Sequence, residues 1–380
     1  MPTMVEDVPV FTPVTLLTGF LGSGKTTLLR RLLADPAFGD TAVIINELGE
    51  VGIDHLLVER LDDHMVLLKS GCVCCTVRGE LATAMRDLHS RRERGVVPPF
   101  RRLVIESTGL ADPFPVLSTL KADPVLRHHF LNAGVVTTVD AVNGTLQLER
   151  HIESVRQVAI ADTIVLTKTD IAEAEVTARL MAQLGAMNPT APLLSAAEAT
   201  LDAAVLLQSG SGGGFRAIEE STVGMAVHGS VNAFAIIVDE PLDWTVFGIW
   251  LTMLLNRHGD RILRVKGILA LAGEERPVAV HGVQHLVHAP THLSRWPSED
   301  HRSRVVFIVE GIEPELIRRS FSVFNRLGAA RVNSYLDKSQ CSAFAPLAGG
   351  RTPAMKTEFQ RPRGRAEAIN GEEDHDTCRC

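Results

Sequence analysis

Residues 19–26 read Gly-Phe-Leu-Gly-Ser-Gly-Lys-Thr, and nothing else in the chain narrows its possible folds as much. They satisfy G-x-x-x-x-G-K-[ST], with a β-branched apolar run at 14–18 before them and a helix-like stretch at 27–33 after them. A strand that passes into a helix through a glycine-rich turn gathers backbone N–H groups and a helix N-terminus at one point, which is a cradle for phosphate. The pattern assigns Gly19, Gly22, Ser23, Gly24, Lys25, Thr26 and Thr27 to nucleotide phosphates. Lys25 is expected to reach the β- and γ-phosphates and the Thr26 hydroxyl to ligate Mg2+.

Further short apolar runs at 42–45, 103–106, 135–140 and 164–167 alternate with helix-like stretches at 81–89 and 171–184. Strands that are continuously apolar and separated by helices predict a mostly parallel sheet covered on both faces. Asp112-Pro113 marks a helix start. After a Gly/Ser-rich stretch at 209–214 come expected strands at 231–238, 261–271, 277–287 and 305–309, and helices at 244–255 and 315–326. The expectation is therefore an α/β P-loop NTPase domain (1–207), a linker (208–229), a smaller α+β C-terminal domain (230–330) and a disordered tail (331–380).

The chain is 45% hydrophobic and 22% charged with net charge −7; aromatics make up 5% and tyrosine occurs once. Stacking platforms and a broad basic surface for nucleic acid are both disfavoured by that balance. The start shows no basic segment followed by an apolar one, and the apolar run at 244–255 is too short to span a bilayer. A cytoplasmic protein without a membrane partner is expected, and no heptad pattern indicates an oligomeric state.

Thr167-Lys168-Thr169-Asp170 follows a late strand, where P-loop GTPases carry Asn-Lys-x-Asp. A carboxylate at Asp170 accepts the two parallel donors of guanine, Lys168 covers the base, and Ser195 is a weaker candidate for the same pocket. The alternative for Asp170 is a helix cap. Glu106-Ser107-Thr108-Gly109 has the spacing of a γ-phosphate sensor: Glu106 for Mg2+ through water, the Gly109 N–H for the γ-phosphate. Lys25, Thr26 and Glu106 are the catalytic candidates. Residues 46–50, Asn-Glu-Leu-Gly-Glu, form a second candidate switch in which Glu47 or Glu50 orients water.

Cys72, Cys74 and Cys75 place three thiols within four positions. A C-x-x-C turn can direct two sulfurs at one ion and Cys74 adds a third, a set that suits Zn2+ first and Co2+ or Cu+ next. Glu50, water or a thiolate of a recipient protein is the candidate fourth ligand; structural cysteines or a redox pair are the alternatives. His375, Cys378 and Cys380 near the end form a second potential cluster, read as chance with exposed metal-capture groups as the alternative, and His281, His285, His288 and His292 read as surface histidines of a strand and loop, with His281 and His285 on one face and His288 on the other.

These segments together resemble the CobW-like family of P-loop GTPases, often called metallochaperone GTPases. The resemblance rests on the P-loop, NELGEVGID (46–54), GCVCCTV (71–77), ESTGLADP (106–113), TKTD (167–170) and LRVKGIL (263–269), and spans roughly residues 13 to 328. Leu48 stands where the family usually has Phe, and Ile45 where some relatives carry a metal-binding Glu. The resemblance implies GTP hydrolysis coupled to delivery of zinc, or in some members cobalt, to a metal-requiring client protein, with Cys72, Cys74 and Cys75 as ligands. Two other classes stay open: a GTP-binding metal reservoir or sensor that transfers nothing, and an ATP-dependent kinase-like enzyme with structural cysteines.

Overall fold

A computed structural model of the chain describes residues 11–45, 76–197, 226–228 and 231–338. The first part runs β1 (Thr12–Gly19), α1 (Lys25–Leu33), β2 (Thr41–Ile45), α2 (Thr76–Glu93), β3 (Arg102–Glu106), α3 (Phe114–Ala122), α4 (Leu126–His129), β4 (Phe130–Asp140), α5 (Gly144–Arg150), α6 (Ile152–Ala159), β5 (Thr163–Thr167), α7 (Ala174–Met187) and β6 (Leu193–Ser195). Its six strands form one parallel sheet in the order β2-β3-β1-β4-β5-β6. The strands are apolar on both faces because both faces are covered. Leu16, Ile44, Ile105, Val135 and Ile164 join one helical layer, while their neighbours Leu17, Val43, Val104, Val136 and Val165 pack on Leu28, Leu29 and Leu32 of α1. The order reverses at β1, so a crevice opens at the carboxyl ends of β1, β3 and β4, the place where open α/β sheets bind ligands.

The second part comprises β7 (Ala226–His228), β8 (Val231–Val238), α8 (Trp244–His258), β9 (Ile262–Leu269), β10 (Val278–Val283), β11 (Leu286–Val287), β12 (Thr291–His292), β13 (Ser303–Glu310) and α9 (Pro314–Lys338). Its antiparallel sheet has the order β11-β10-β9-β13-β8-β7, with β12 also on β10. On one face Phe234, Val265, Val305 and Phe307 meet Phe247, Trp250 and Leu251 of α8 and Ile317 and Phe321 of α9. On the other, Val231, Ala233, Leu263, Val283 and Ile308 join the helical layer of the first sheet. Both sheets belong to the compact unit Met1–Val332. Helix α9 continues beyond residue 330 to Lys338, into the stretch expected to be a disordered tail; no proline interrupts 315–338 and Ala, Arg and Leu recur there.

The strand alternation that the sequence predicts for the histidines does not hold in the structure. Residues 277–287 are not one strand: the chain turns at Gln284 (φ 50°) and comes back as β11, so His288 N donates to His281 O at 2.9 Å. The turn resets the alternation on which the face assignment relied. His281 and His288 are both only partly exposed and both sense Asp162 and Arg264, with Lys266 acting on His281 and Lys121 on His288; His285 is exposed. Arg264 and Lys266 are buried between the sheets: Arg264 donates to the Asp162 carboxylate and to Ile160 O, and Lys266 to Thr190 O at 3.4 Å. Burial pushes the Lys266 amine down to about 8 and His281 down to about 3, the nearby cations adding to each.

Candidate nucleotide site

The carboxyl ends of five parallel strands bring together motifs that lie far apart in sequence. Register pairs Gly19 with Thr138, Leu17 with Glu106, Asp140 with Thr167 and Leu166 with Ser195. Gly19 stands at φ 142°, and a Cβ there would come within 2.3 Å of Thr138 Oγ1, so only glycine lets the loop leave β1 at this point. Gly24 precedes α1 at φ 86°, with no side-chain cap and no acidic residue in the first turn. The helix N-terminus is thus left for an anion.

Lys25 is buried and folds over the loop, its Nζ donating to Gly19 O at 3.0 Å and Phe20 O at 3.1 Å. Ser23 Oγ meets Thr138 Oγ1 at 2.7 Å. Thr26 Oγ1 donates to Glu106 Oε1 at 2.6 Å, although 80 residues separate them. A hydroxyl and a carboxylate oxygen side by side at the head of a phosphate loop are the hard donors that Mg2+ takes, so these residues fit that ion. Thr27 is exposed on the first turn of α1.

The loop after β3 is pressed against the P-loop. A Cβ on Gly109 would stand 2.5 Å from Leu21 N, and Ser107 Oγ donates to Thr18 Oγ1 at 2.8 Å. Gln157 of α6 is buried beneath this loop and donates to Gly109 O and Ala111 O, both at 3.1 Å. Asp112 accepts from Phe114 N at 2.9 Å at the start of α3, as the Asp-Pro pair predicts.

At the end of β5, Thr167 Oγ1 donates to Ser23 O at 2.8 Å, so the hydroxyl ties the base motif to the phosphate loop without the amide that Asn supplies elsewhere. Lys168 takes a left-handed backbone (φ 58°) and its Nζ lies 2.7 Å from Asp140 Oδ2. Burial alone would raise the Asp140 carboxyl, but hydrogen bonds from Lys168, Asn143 and the Val142 and Asn143 amides hold it below the usual carboxylate value. Thr169 Oγ1 and Ser195 Oγ are 3.0 Å apart, which brings Ser195 to this motif. Asp170 is exposed, and the residue flanking α7 is Glu173, so Asp170 does not cap that helix.

Asp140, Thr138 and Gln157 were missed in the sequence. Asp140 had a signal, a carboxylate ending a buried apolar run; Thr138 and Gln157 had none, since only their distant partners reveal them. Glu50, Cys72, Cys74 and Cys75, with the rest of 46–75, lie outside the described residues, as do His375, Cys378 and Cys380. Among the described residues no helix is long and apolar enough to cross a membrane.

The family described as CobW/HypB/UreG, nucleotide-binding domain, matches residues 13–195, and the cobalamin synthesis protein cobW C-terminal domain matches 231–324. Zinc chaperone YjiA of Escherichia coli is 36% identical over 318 residues, covering 81% of this chain and 97% of the relative. Zinc chaperone CobW of Pseudomonas aeruginosa is 31% identical over 353 residues, covering 80% and 89%. The crystal structure of Zn(II)-bound YjiA GTPase from E. coli superposes with a TM-score of 0.63 at 30% identity, covering 83% of this chain and 99% of that one.

Proposed function

Because the chain belongs to the CobW/HypB/UreG family, we propose that it is a GTP-hydrolysing metallochaperone of the cytoplasm that couples nucleotide state to delivery of zinc, with cobalt as a second cargo, to a metal-requiring client protein. One observation carries the nucleotide half: Glu106, Gly109 and Thr167 converge on a single P-loop although they are distant from it in sequence, 144 residues separating Ser23 from Thr167. The relatives named zinc chaperones, and a relative solved with Zn(II), support the metal half.

In this reading Gly19, Gly22, Ser23, Gly24 and Thr27 line the phosphates through backbone and hydroxyl donors, and Lys25 leaves its loop carbonyls to pair with the β- and γ-phosphates. Thr26 and Glu106 hold Mg2+, which when bound neutralises charge developing on the phosphoryl oxygens. The Gly109 N–H donates to the γ-phosphate and so distinguishes GTP from GDP. Asp170 accepts from guanine while Lys168, steadied by Asp140, covers its face. Cys72, Cys74 and Cys75 bind the cargo, with Glu50 or a client thiolate completing the shell. If GTP weakens metal binding, metal weakens GTP binding by the same factor.

The test is a zinc titration against a competing chelator, run on the full chain with GDP and with a non-hydrolysable GTP analogue. The expected result is a difference in zinc affinity of about fivefold or more, the lower end of ordinary coupling energies. Equal affinities overturn the coupling and leave a GTP-binding reservoir. Competition of bound GTP by ATP at equal concentration overturns the guanine reading.

A further inference from the structure

Helix α6 touches the loop after β3 and the second sheet through nearby residues. Gln157, 1% exposed, donates from Nε2 to Gly109 O and Ala111 O. Its partners fix the amide orientation, because the flipped amide would set an oxygen against two carbonyl oxygens. The main-chain carbonyl of Gln157 accepts from Thr137 Oγ1 of β4 at 2.8 Å, which anchors the helix to the first sheet. One residue earlier, Arg156 donates from Nε and Nη2 to the Glu310 carboxylate at the end of β13, at 3.1 and 3.4 Å, and its Nη1 lies 3.7 Å from Asp112 Oδ2. Just past the helix, Ile160 O accepts from Arg264 of β9. Gly109 is therefore enclosed by Leu21 of the P-loop on one side and Gln157 on the other.

We propose that α6 carries the nucleotide state of the Gly109 loop to the second domain, with Gln157 as the positioning residue of that loop and Arg156 and Arg264 as the second sheet's grips on the helix. The proposal rests on the reading that the Gly109 N–H meets the γ-phosphate. Gly109 has no room to shift alone: moving the loop away from Gln157 leaves the buried Gln157 amide and the buried Gly109 carbonyl unsatisfied, so the helix follows the loop. Because the helix is held at Arg156 and Ile160, β13 and β9 follow the helix. A contiguous chain of hydrogen-bonded groups is the physical form that such coupling takes.

The experiment measures hydrogen exchange in peptides covering β9 and β13 of the full chain, with GDP and with a non-hydrolysable GTP analogue, alongside single-turnover hydrolysis. In the wild type the analogue is expected to change protection of β13 by about fivefold or more relative to GDP. Gln157→Leu is expected to abolish that difference and to slow hydrolysis about fivefold, since the loop loses its support. Arg156→Met, at a half-exposed position, is expected to shrink the β13 difference while hydrolysis stays within about twofold. It also keeps the test readable if Gln157→Leu does not fold. A wild type that hydrolyses GTP but shows identical β13 exchange with both nucleotides overturns the proposal, as does a difference undiminished in both variants. A wild type that hydrolyses no GTP overturns the functional reading itself, and this proposal with it.

Discussion

Lys168 stands in a left-handed conformation that a non-glycine residue adopts at a cost on the order of 1–3 kcal/mol, and its pairing with buried Asp140 at 2.7 Å is what the surroundings supply in return. Asp140→Asn is expected to weaken GTP binding about three- to tenfold, the loss of a charged hydrogen bond partly replaced by an amide, read by nucleotide titration. The depressed Asp140 carboxyl also has a pH signature. Its stabilisation is complete above about pH 4, the unfolded value, and is lost as pH falls through the lower folded value. Acid unfolding of Asp140→Asn should therefore lack that component. Asp170→Asn is expected to cost about 1.5–3 kcal/mol in GTP affinity while xanthine nucleotides gain; unchanged selectivity in a competition assay removes Asp170 from the base pocket. For the cargo, replacing Cys72, Cys74 and Cys75 with serine is expected to abolish tightly bound zinc in purified protein, read as metal content, because a hydroxyl is a poor ligand for a borderline-soft ion.

The parallel sheet follows from its elements almost directly. Its strands are apolar along their length, and alternate residues feed two cores, so the period-2 pattern and the two-sided burial agree. Boundaries were less readable: β4 begins at Phe130 and not near 135, and α7 begins at Ala174, beyond the turn that holds Asp170. The run 277–287 was read as one strand because a left-handed residue at Gln284 carries no glycine or asparagine signal. In the second domain, α8 is held by Trp250, which is 2% exposed, lies edge-on to Phe307 and Phe321 at 5.9 and 4.9 Å, and donates from Nε1 to Ser320 Oγ at 3.0 Å. Trp250→Ala is expected to cost about 3–5 kcal/mol, measured by denaturant unfolding, since a large cavity and an unmet hydroxyl acceptor are left together.

Across the whole molecule the two sheets meet at a layer that is mostly apolar but encloses Arg264, Lys266, Asp162, His281 and His288. Burial would raise the Asp162 carboxyl, yet Arg264 and Lys266 hold it below its usual value; His281 and His288 are kept neutral by burial. For His281 the unfolded chain binds a proton below about pH 6.5 and the folded chain only near 3, so stability falls as pH drops through that window. The melting temperature should decline between pH 6.5 and 4 in the wild type and decline less in His281→Leu; parallel profiles would remove His281 from this role.

The P-loop, the Glu106–Gly109 and Thr167–Asp170 motifs and the alternation of strands with helices were legible in the sequence, because each depends on neighbours a few positions away and on a period set by backbone geometry. Only the tertiary structure decided that Thr167 ties to Ser23, that Asp140 steadies Lys168, that Gln157 clamps the Gly109 loop, and that two histidines read as surface groups lie between the sheets. Each of those contacts joins residues distant in sequence, so no local propensity or spacing encodes it, and packing alone chooses the partner.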